Sequence, residues 1–235
     1  MFTVALIGPD GAGKTTIGQE LEHLLPLPVK YVYMGVNLDA SNHMLPTTRL
    51  LHYLKRRCGA KPDNAGPRDH NARQEKPKRL WKRPLLAAKS WLSLANKIAE
   101  EWFRQAVAWQ YKLRRYIVIF DRHYFADYYA YDVEQTGRAR SRSRAVHGWL
   151  LAHVYPRPDL VIYLDAPAEV LLARKGEGTL ELLERRRQDY FAMCNILENV
   201  AVVDASQPRM DVTLEVRRQI CSFYERLKPA GNKRP

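Results

Sequence analysis

Cysteine is scarce in this chain, and long apolar runs are missing from it. The three cysteines, Cys58, Cys194 and Cys221, are far apart and odd in number. They supply neither a disulfide framework nor zinc-ligand spacing, which points to a reducing compartment. No run approaches the length of a membrane span. The first apolar stretch is brief, lacks a basic lead-in and soon meets Gly8-Pro9, so a secretory signal is not expected. The expected location is cytoplasmic. Internal repeats are absent too. With 46% hydrophobic residues over 235 positions, the chain holds enough apolar surface for one good-sized core.

Negative charge is short in one segment. Between Arg49 and Arg115 there are 18 Lys and Arg against 5 Asp and Glu, a surplus of +13. That equals the net charge of the whole chain, so everything outside the segment sums to zero. Within it, Lys55 to Arg83 is polar, basic and proline-bearing, and reads as an insertion or lid. After Pro84 a long helix is expected to about Arg115. Trp91, Leu94, Ile98, Trp102, Ala106, Trp109 and Leu113 fall on one stripe of it. Two readings of the stripe stand. It packs against a sheet, or it forms a basic, Trp-bearing surface that meets a membrane or an anionic glycolipid. Nucleic acid is a weaker partner, since no recognised binding module accompanies the charge.

What the chain does have is concentrated at its start. "LIGPDGAGKTT", Leu6 to Thr16, follows the short β-prone run Thr3 to Ile7 and precedes a helical pattern carrying Ile17, Leu21 and Leu24, which Pro26 stops. Gly8, Gly13, Lys14 and Thr15 satisfy G-x-x-x-x-G-K-[ST] in the strand–loop–helix setting that this phosphate loop requires. The glycines let backbone N–H groups curl around a polyphosphate, and the helix start adds partial positive charge. Lys14 is the candidate for the β- and γ-phosphates and Thr15 for Mg²⁺. The loop residues Gly8, Asp10, Gly11, Ala12, Gly13, Lys14, Thr15 and Thr16 are therefore the expected ATP-binding set.

Further β-prone runs occur at Val29 to Gly35, Tyr116 to Asp121, Asp159 to Asp165 and Val200 to Ala205. Most are separated by helical stretches. The expected fold is α/β: a P-loop NTPase fold with a five-stranded parallel sheet and helices on both faces. A single domain over residues 1–235 is expected, with a basic insertion at about 49–85 and a lid segment at about 174–187. Ligands in such sheets sit at the carboxyl ends of the strands. There, Asp121 is the expected second Mg²⁺ residue, and Arg122 follows it into the same cleft. Asp165 closes the fourth run, as a cap or a functional carboxylate. Arg174 and Lys175, then Gly176 and Gly178, then Arg185, Arg186 and Arg187 suit a mobile lid over transferring phosphates, with a solvated helix face as the plainer reading of the three arginines. His123, Tyr124, Asp127 and Tyr131 are expected on a helix lining an acceptor pocket. Thr136 to Trp149, with four arginines, reads as an exposed loop.

"GPDGAGKTT", the Asp121-Arg122-His123 run, "PDLVIYLDAPAEVLLARKGE", "ERRRQDY" and "VVDASQP" together resemble thymidylate kinases, in that order and at suitable distances. The resemblance covers about the first 30 residues and nearly everything after Tyr116. It implies Mg-ATP as phosphoryl donor and a nucleoside monophosphate, dTMP, as acceptor. By motif match, Asp10 would face the acceptor side, Arg122 would hold the acceptor phosphate, and Arg174 would be the lid arginine. Asp204 to Gln207, Ser206 included, would line the adenine pocket. Lys14, Asp121, Arg122 and Arg174 are thus the expected catalytic residues. The middle departs from the family. After the second run "YMGVNLDASNHML" has no arginine before Arg49, and the expected base-reading position falls near Glu100, with Lys97 and Arg104 for neighbours. A sugar or lipid-linked hydroxyl is accordingly the alternative acceptor, and a slow ATP-binding regulator at a membrane surface the alternative class. A homodimer is compatible with this reading.

Overall fold

The computed structural model describes residues 1–35, 41, 43–57, 83–124, 142–176 and 178–228. Five strands, β1 (Thr3–Ile7), β2 (Val29–Tyr33), β3 (Ile117–Asp121), β4 (Leu160–Asp165) and β5 (Val200–Asp204), form one sheet in the order β2-β3-β1-β4-β5. All four pairings are parallel, with Leu6 beside Asp121 and Ile162, and Asp165 beside Asp204. The described helices are α1 (Lys14–Leu24), α2 (Pro46–Arg57), α3 (Arg83–Leu113), α4 (Arg142–His153), α5 (Ala168–Lys175), α6 (Leu180–Cys194) and α7 (Arg209–Leu227). The fold is α/β, as the alternation of β-prone and helical stretches implies.

By contact the chain divides into two compact units. The first comprises Met1–Tyr33, Gln110–His123 and Arg157–Pro235, and holds the whole sheet. The central strands are continuous apolar runs because both of their faces are buried. On one face Val4, Leu6, Ile119 and Ile162 pack with Ile17 and Leu21 of α1 and Val216, Ile220 and Phe223 of α7. On the other, Tyr163 meets the rings of Tyr190 and Phe191 of α6 at 5.7 and 5.0 Å. Truncating a fully buried member such as Leu21 to Ala costs about 2–5 kcal/mol. A cavity of about 430 Å³ opens at the amino ends of β1, β4 and β5, beside Phe2, Asp159, Asn199 and Phe223. Asp159 there is already engaged by Thr3 and Lys112.

The second unit comprises Met34–Trp109 and Tyr124–Pro156. The expected stripe of α3 is not its buried face. Trp91, Ala106, Trp109 and Leu113 are exposed, and Ile98 and Trp102 only half-buried. Of the stripe Leu94 alone is buried, and the rest of the buried face is Glu100, Glu101, Arg104, Gln105 and Ala108. The helix hides a mainly polar row, which an apolar-periodicity reading passes over. The second run ends at Tyr33 rather than Gly35, because the Met34 and Gly35 carbonyls accept hydrogen bonds from Arg104 instead of from a strand. Arg142 onward is helix rather than loop. Its buried row, Ser143, His147 and Leu151, has helical spacing but two polar members. The segment 58–82, which holds most of the basic insertion and Trp81, lies outside the described residues. So do Asp127, Tyr128, Tyr129, Tyr131 and 136–141.

Candidate functional site

The loop joining β1 to α1 is shaped by glycines. A Cβ on Gly8 (φ 146°) would lie 2.5 Å from the Leu164 carbonyl oxygen, and one on Gly11 (φ 94°) 2.8 Å from that of Leu171. Only glycine lets the loop lie this close to β4 and α5. Helix α1 then starts without a side-chain cap and without an acidic residue in its first turn. Its first N–H groups are left for another acceptor, and the helix start carries partial positive charge. Lys14 is buried, and its ammonium donates to the Gly8 and Pro9 carbonyls at 2.6 and 2.8 Å. Ala12 is buried against this turn and Thr16 is exposed on the helix surface.

Beside the loop, Thr15 Oγ1 donates to Asp121 Oδ2 at 2.5 Å, and the Tyr31 hydroxyl donates to the same oxygen at 2.8 Å. Asp121 is fully buried, yet its Oδ1 has no hydrogen-bond partner. A buried carboxylate oxygen left unpaired is costly, which marks a place for a further ligand. The Thr15 hydroxyl and the orphaned Asp121 oxygen fit Mg²⁺. They are hard oxygen donors, one of them anionic, few enough to leave positions for water and phosphate oxygens. No group of three or more His, Cys, Asp or Glu among the described residues could hold a metal alone.

Asp10, at the crest of the loop, gathers cations. Arg122 Nη2 donates to it at 2.5 Å, Arg186 Nη1 lies at 3.4 Å and Lys175 Nζ at 3.9 Å. Burial alone would raise the Asp10 carboxyl, but the nearby Lys14, Arg122 and Lys175 charges overcome it and hold the group at about 2. Arg122 reaches the loop from a left-handed backbone, φ 62°, which costs a non-glycine residue about 1–2 kcal/mol. Such strain at a strand's carboxyl end is a feature of ligand sites. Next to it His123 is buried with its ring 5.1 Å from that of Phe120, and burial pushes it down to about 3, so it is neutral at physiological pH.

The three arginines of α6 have three different surroundings. Arg185 is exposed. Arg186 turns to Asp10. Arg187 forks onto Asp165, with two contacts of 2.8 Å, and also meets Glu184. Burial works to raise the Asp165 carboxyl, but hydrogen bonds from Arg187 and Tyr163 bring it below its ordinary value. Asp165 is thus an anchor for α6. Arg174 donates to the Ala205 and Ser206 carbonyls at 2.7 and 3.3 Å, on the β5–α7 turn. Asp204 accepts from the Ser206 backbone and hydroxyl and from Gln207, which hold its carboxyl below the ordinary range. The structure therefore brings Lys14, Thr15, Asp10, Asp121 and Arg122 together, and sets Arg174, Asp204 and Ser206 around a separate turn. Tyr31, Lys175 and Arg186 are additions. Nothing in the sequence singled out Tyr31: it shares a strand face with Tyr33, and only the register that pairs Tyr33 with Asp121 brings it to that carboxylate.

In the second unit Arg104 is a clamp. It bonds the Met34 and Gly35 carbonyls at 2.6 Å each, the His43 carbonyl at 3.2 Å and Glu100 at 2.9 Å. Glu101 Oε2 accepts from the Tyr155 hydroxyl at 2.7 Å and lies 3.1 Å from His147 Nε2, while His147 Nδ1 lies 3.3 Å from the Lys97 ammonium. Glu101 Oε1 is the other buried orphan among the described residues. No family model matches the chain.

Proposed function

We propose that the chain is an ATP-dependent phosphotransferase with a P-loop NTPase fold, thymidylate kinase-like, moving the γ-phosphoryl of Mg-ATP to a nucleoside monophosphate, with dTMP the first choice. The observation that carries this reading is the convergence of Lys14, Arg122, Lys175 and Arg186 on one carboxylate beside an uncapped helix start. That surplus of positive charge suits two phosphoryl-bearing ligands meeting there. Lys14 exchanges its loop carbonyls for the β- and γ-phosphates. Arg122 holds the acceptor phosphate, and Lys175 and Arg186 face the charge that spreads over the transferring oxygens. Thr15 and Asp121 would hold Mg²⁺, which offsets charge on the β- and γ-oxygens. Tyr31 occupies the other Asp121 oxygen and fixes the carboxylate's orientation.

A phosphate acceptor needs no general base. For a hydroxyl acceptor Asp121 or Asp10 is the candidate base, and Asp10, a carboxylate held at about 2, is the poorer of the two for activating a neutral hydroxyl. A second reading, a sugar or lipid-linked hydroxyl acceptor, is favoured by Arg104, the arginine near the expected base-reading position, being consumed as a backbone clamp. The test is ADP formation from Mg-ATP with nucleoside monophosphates, nucleosides and sugars. The first reading expects the largest stimulation from dTMP or another monophosphate. Stimulation by a sugar or nucleoside alone would select the second. No stimulation by any would leave an ATP-binding regulator.

A further inference from the structure

Two hydroxyls close on the same oxygen of Asp121. A carboxylate offers about four lone-pair sites, shared between its two oxygens. Thr15 Oγ1 and the Tyr31 hydroxyl both donate to Oδ2, at 2.5 and 2.8 Å, so that oxygen is filled. Oδ1 is fully buried and accepts no hydrogen bond among the described residues. The Thr15 hydroxyl has a single proton, and directing it at Oδ2 leaves the hydroxyl's lone pairs open. The oxygens turned toward a cation are therefore one carboxylate oxygen and one hydroxyl.

Packing holds Tyr31 in this place. It is 5% exposed on β2, where it pairs with Ile119, and its hydroxyl reaches diagonally to the end of β3. Its ring lies on Gly18, three residues after Thr15 and so on the same side of α1. A Cβ on Gly18 would stand 2.8 Å from Tyr31 Cε2, so any larger residue there displaces the ring. Helix α1 thus supplies both the Thr15 hydroxyl and the floor beneath Tyr31. The two hydroxyls and the carboxylate form one rigid set.

We propose that Tyr31 is a positioning residue that sets the metal preference of this site: with Thr15 it fills Asp121 Oδ2, keeps the carboxylate from chelating a cation through both oxygens, and so favours Mg²⁺ over Ca²⁺. This rests on the Mg-nucleotide reading above. Mg²⁺ is octahedral, keeps several waters and takes one or two carboxylates, whereas Ca²⁺ takes about six to eight oxygens and accepts a carboxylate through both. One anionic oxygen beside one hydroxyl suits the first ion and leaves the second short of ligands. Tyr31 acts through Asp121 and is not itself a ligand.

The test is calorimetric binding of ADP to the full chain at graded Mg²⁺ or Ca²⁺. The parent is expected to reach half-maximal binding at a much lower concentration of Mg²⁺ than of Ca²⁺. Tyr31→Phe keeps the ring and removes only the hydroxyl. It should raise the Mg²⁺ concentration required by about tenfold or more, since hydrogen-bond partners of a ligating carboxylate carry effects of that size. The Ca²⁺ requirement should stay level or fall, so the gap between the ions narrows. Gly18→Ala, which moves the ring and keeps the hydroxyl, should narrow it too. A purely structural defect would weaken binding with both ions alike. Equal weakening, or a Tyr31→Phe protein with the parent's metal requirements, overturns the role of Tyr31 and leaves the Mg-nucleotide reading standing. Equal use of the two ions by the parent overturns it as well. No ADP binding with either ion overturns both readings.

Discussion

In the sheet-bearing unit, Lys14, Arg122, Lys175 and Arg186 crowd a single carboxylate, Asp10. In the other unit, Arg104 sits on Glu100 and three backbone carbonyls, and His147 sits on Glu101. The first arrangement has more partly buried positive charge than its own residues offset, while the buried Arg104 and His147 of the second are each set against a carboxylate. Sequestered charge is costly unless paired. Under the proposed function the first unit would be completed by a phosphate-bearing ligand, whereas the buried Arg104–Glu100 pair of the second holds its backbone in place. Cations of similar appearance in the sequence thus serve different ends, and substitution separates them.

The largest effect is expected at Arg104. Replacing it with Ala leaves Glu100 unpaired and frees the Met34 and Gly35 carbonyls. That should cost about 3–5 kcal/mol in urea unfolding. Arg104→Met with Glu100→Leu should recover much of the loss, because neither charge is then stranded. A small effect of the single substitution would show that the clamp is not structural. Lys14→Ala should do the reverse. Stability is little changed, while turnover falls on the order of 10²-fold or more, because its charge acts on the phosphates. Full ADP formation by folded Lys14→Ala would remove the loop from the mechanism.

Asp10 gives a pH test. Its carboxyl is held at about 2 against an ordinary 3.8. A depressed carboxylate stabilises the fold above its unfolded value, and that contribution is lost as pH falls from about 3.8 through 2. A shift of this size corresponds to roughly 2 kcal/mol. Asp10→Asn should lack this part of the acid limb. At neutral pH it should be less stable than the parent, since four cations lose their shared anion. Inorganic phosphate or ATP should then raise its melting temperature more than it raises the parent's. Identical acid limbs in the two proteins would mean that the cations do not depend on Asp10.

Much of this was legible from residues 3–25. Strand, glycine loop and helix are adjacent in sequence, and their chemistry is local. Four of the five β-prone runs were equally plain, because a parallel strand buried on both faces needs no partner to be recognised as apolar; β5, where Val203 alone is buried, was legible from its β-branched composition. Asp121 was legible from its place at a strand end, but its bond to Tyr31 depends on strand register. Arg186 and Arg187 are neighbours with opposite surroundings, which helical rotation and the position of Asp165 decide. The polar rows of α3 and α4 were illegible for a different reason. Apolar periodicity finds buried faces made of hydrocarbon, and Glu100, Glu101, Arg104 and His147 are buried through partners distant in sequence.

The smallest effects separate the three consecutive arginines of α6. Arg185 is exposed, so Arg185→Ala should change neither stability nor turnover beyond about 0.5 kcal/mol. Arg187→Ala should cost about 1–3 kcal/mol of stability, because Asp165 loses a two-pronged partner and stays partly buried. Arg186→Ala should leave stability almost unchanged, since it removes one of several cations crowding Asp10. Its turnover should nevertheless fall about tenfold, as one donor facing the transferring phosphoryl is lost. Unfolding curves and ADP formation on the three variants give the comparison. If Arg186→Ala lost stability like Arg187→Ala and kept its turnover, Arg186 would be a second anchor for α6, and the charge surplus around Asp10 would be structural.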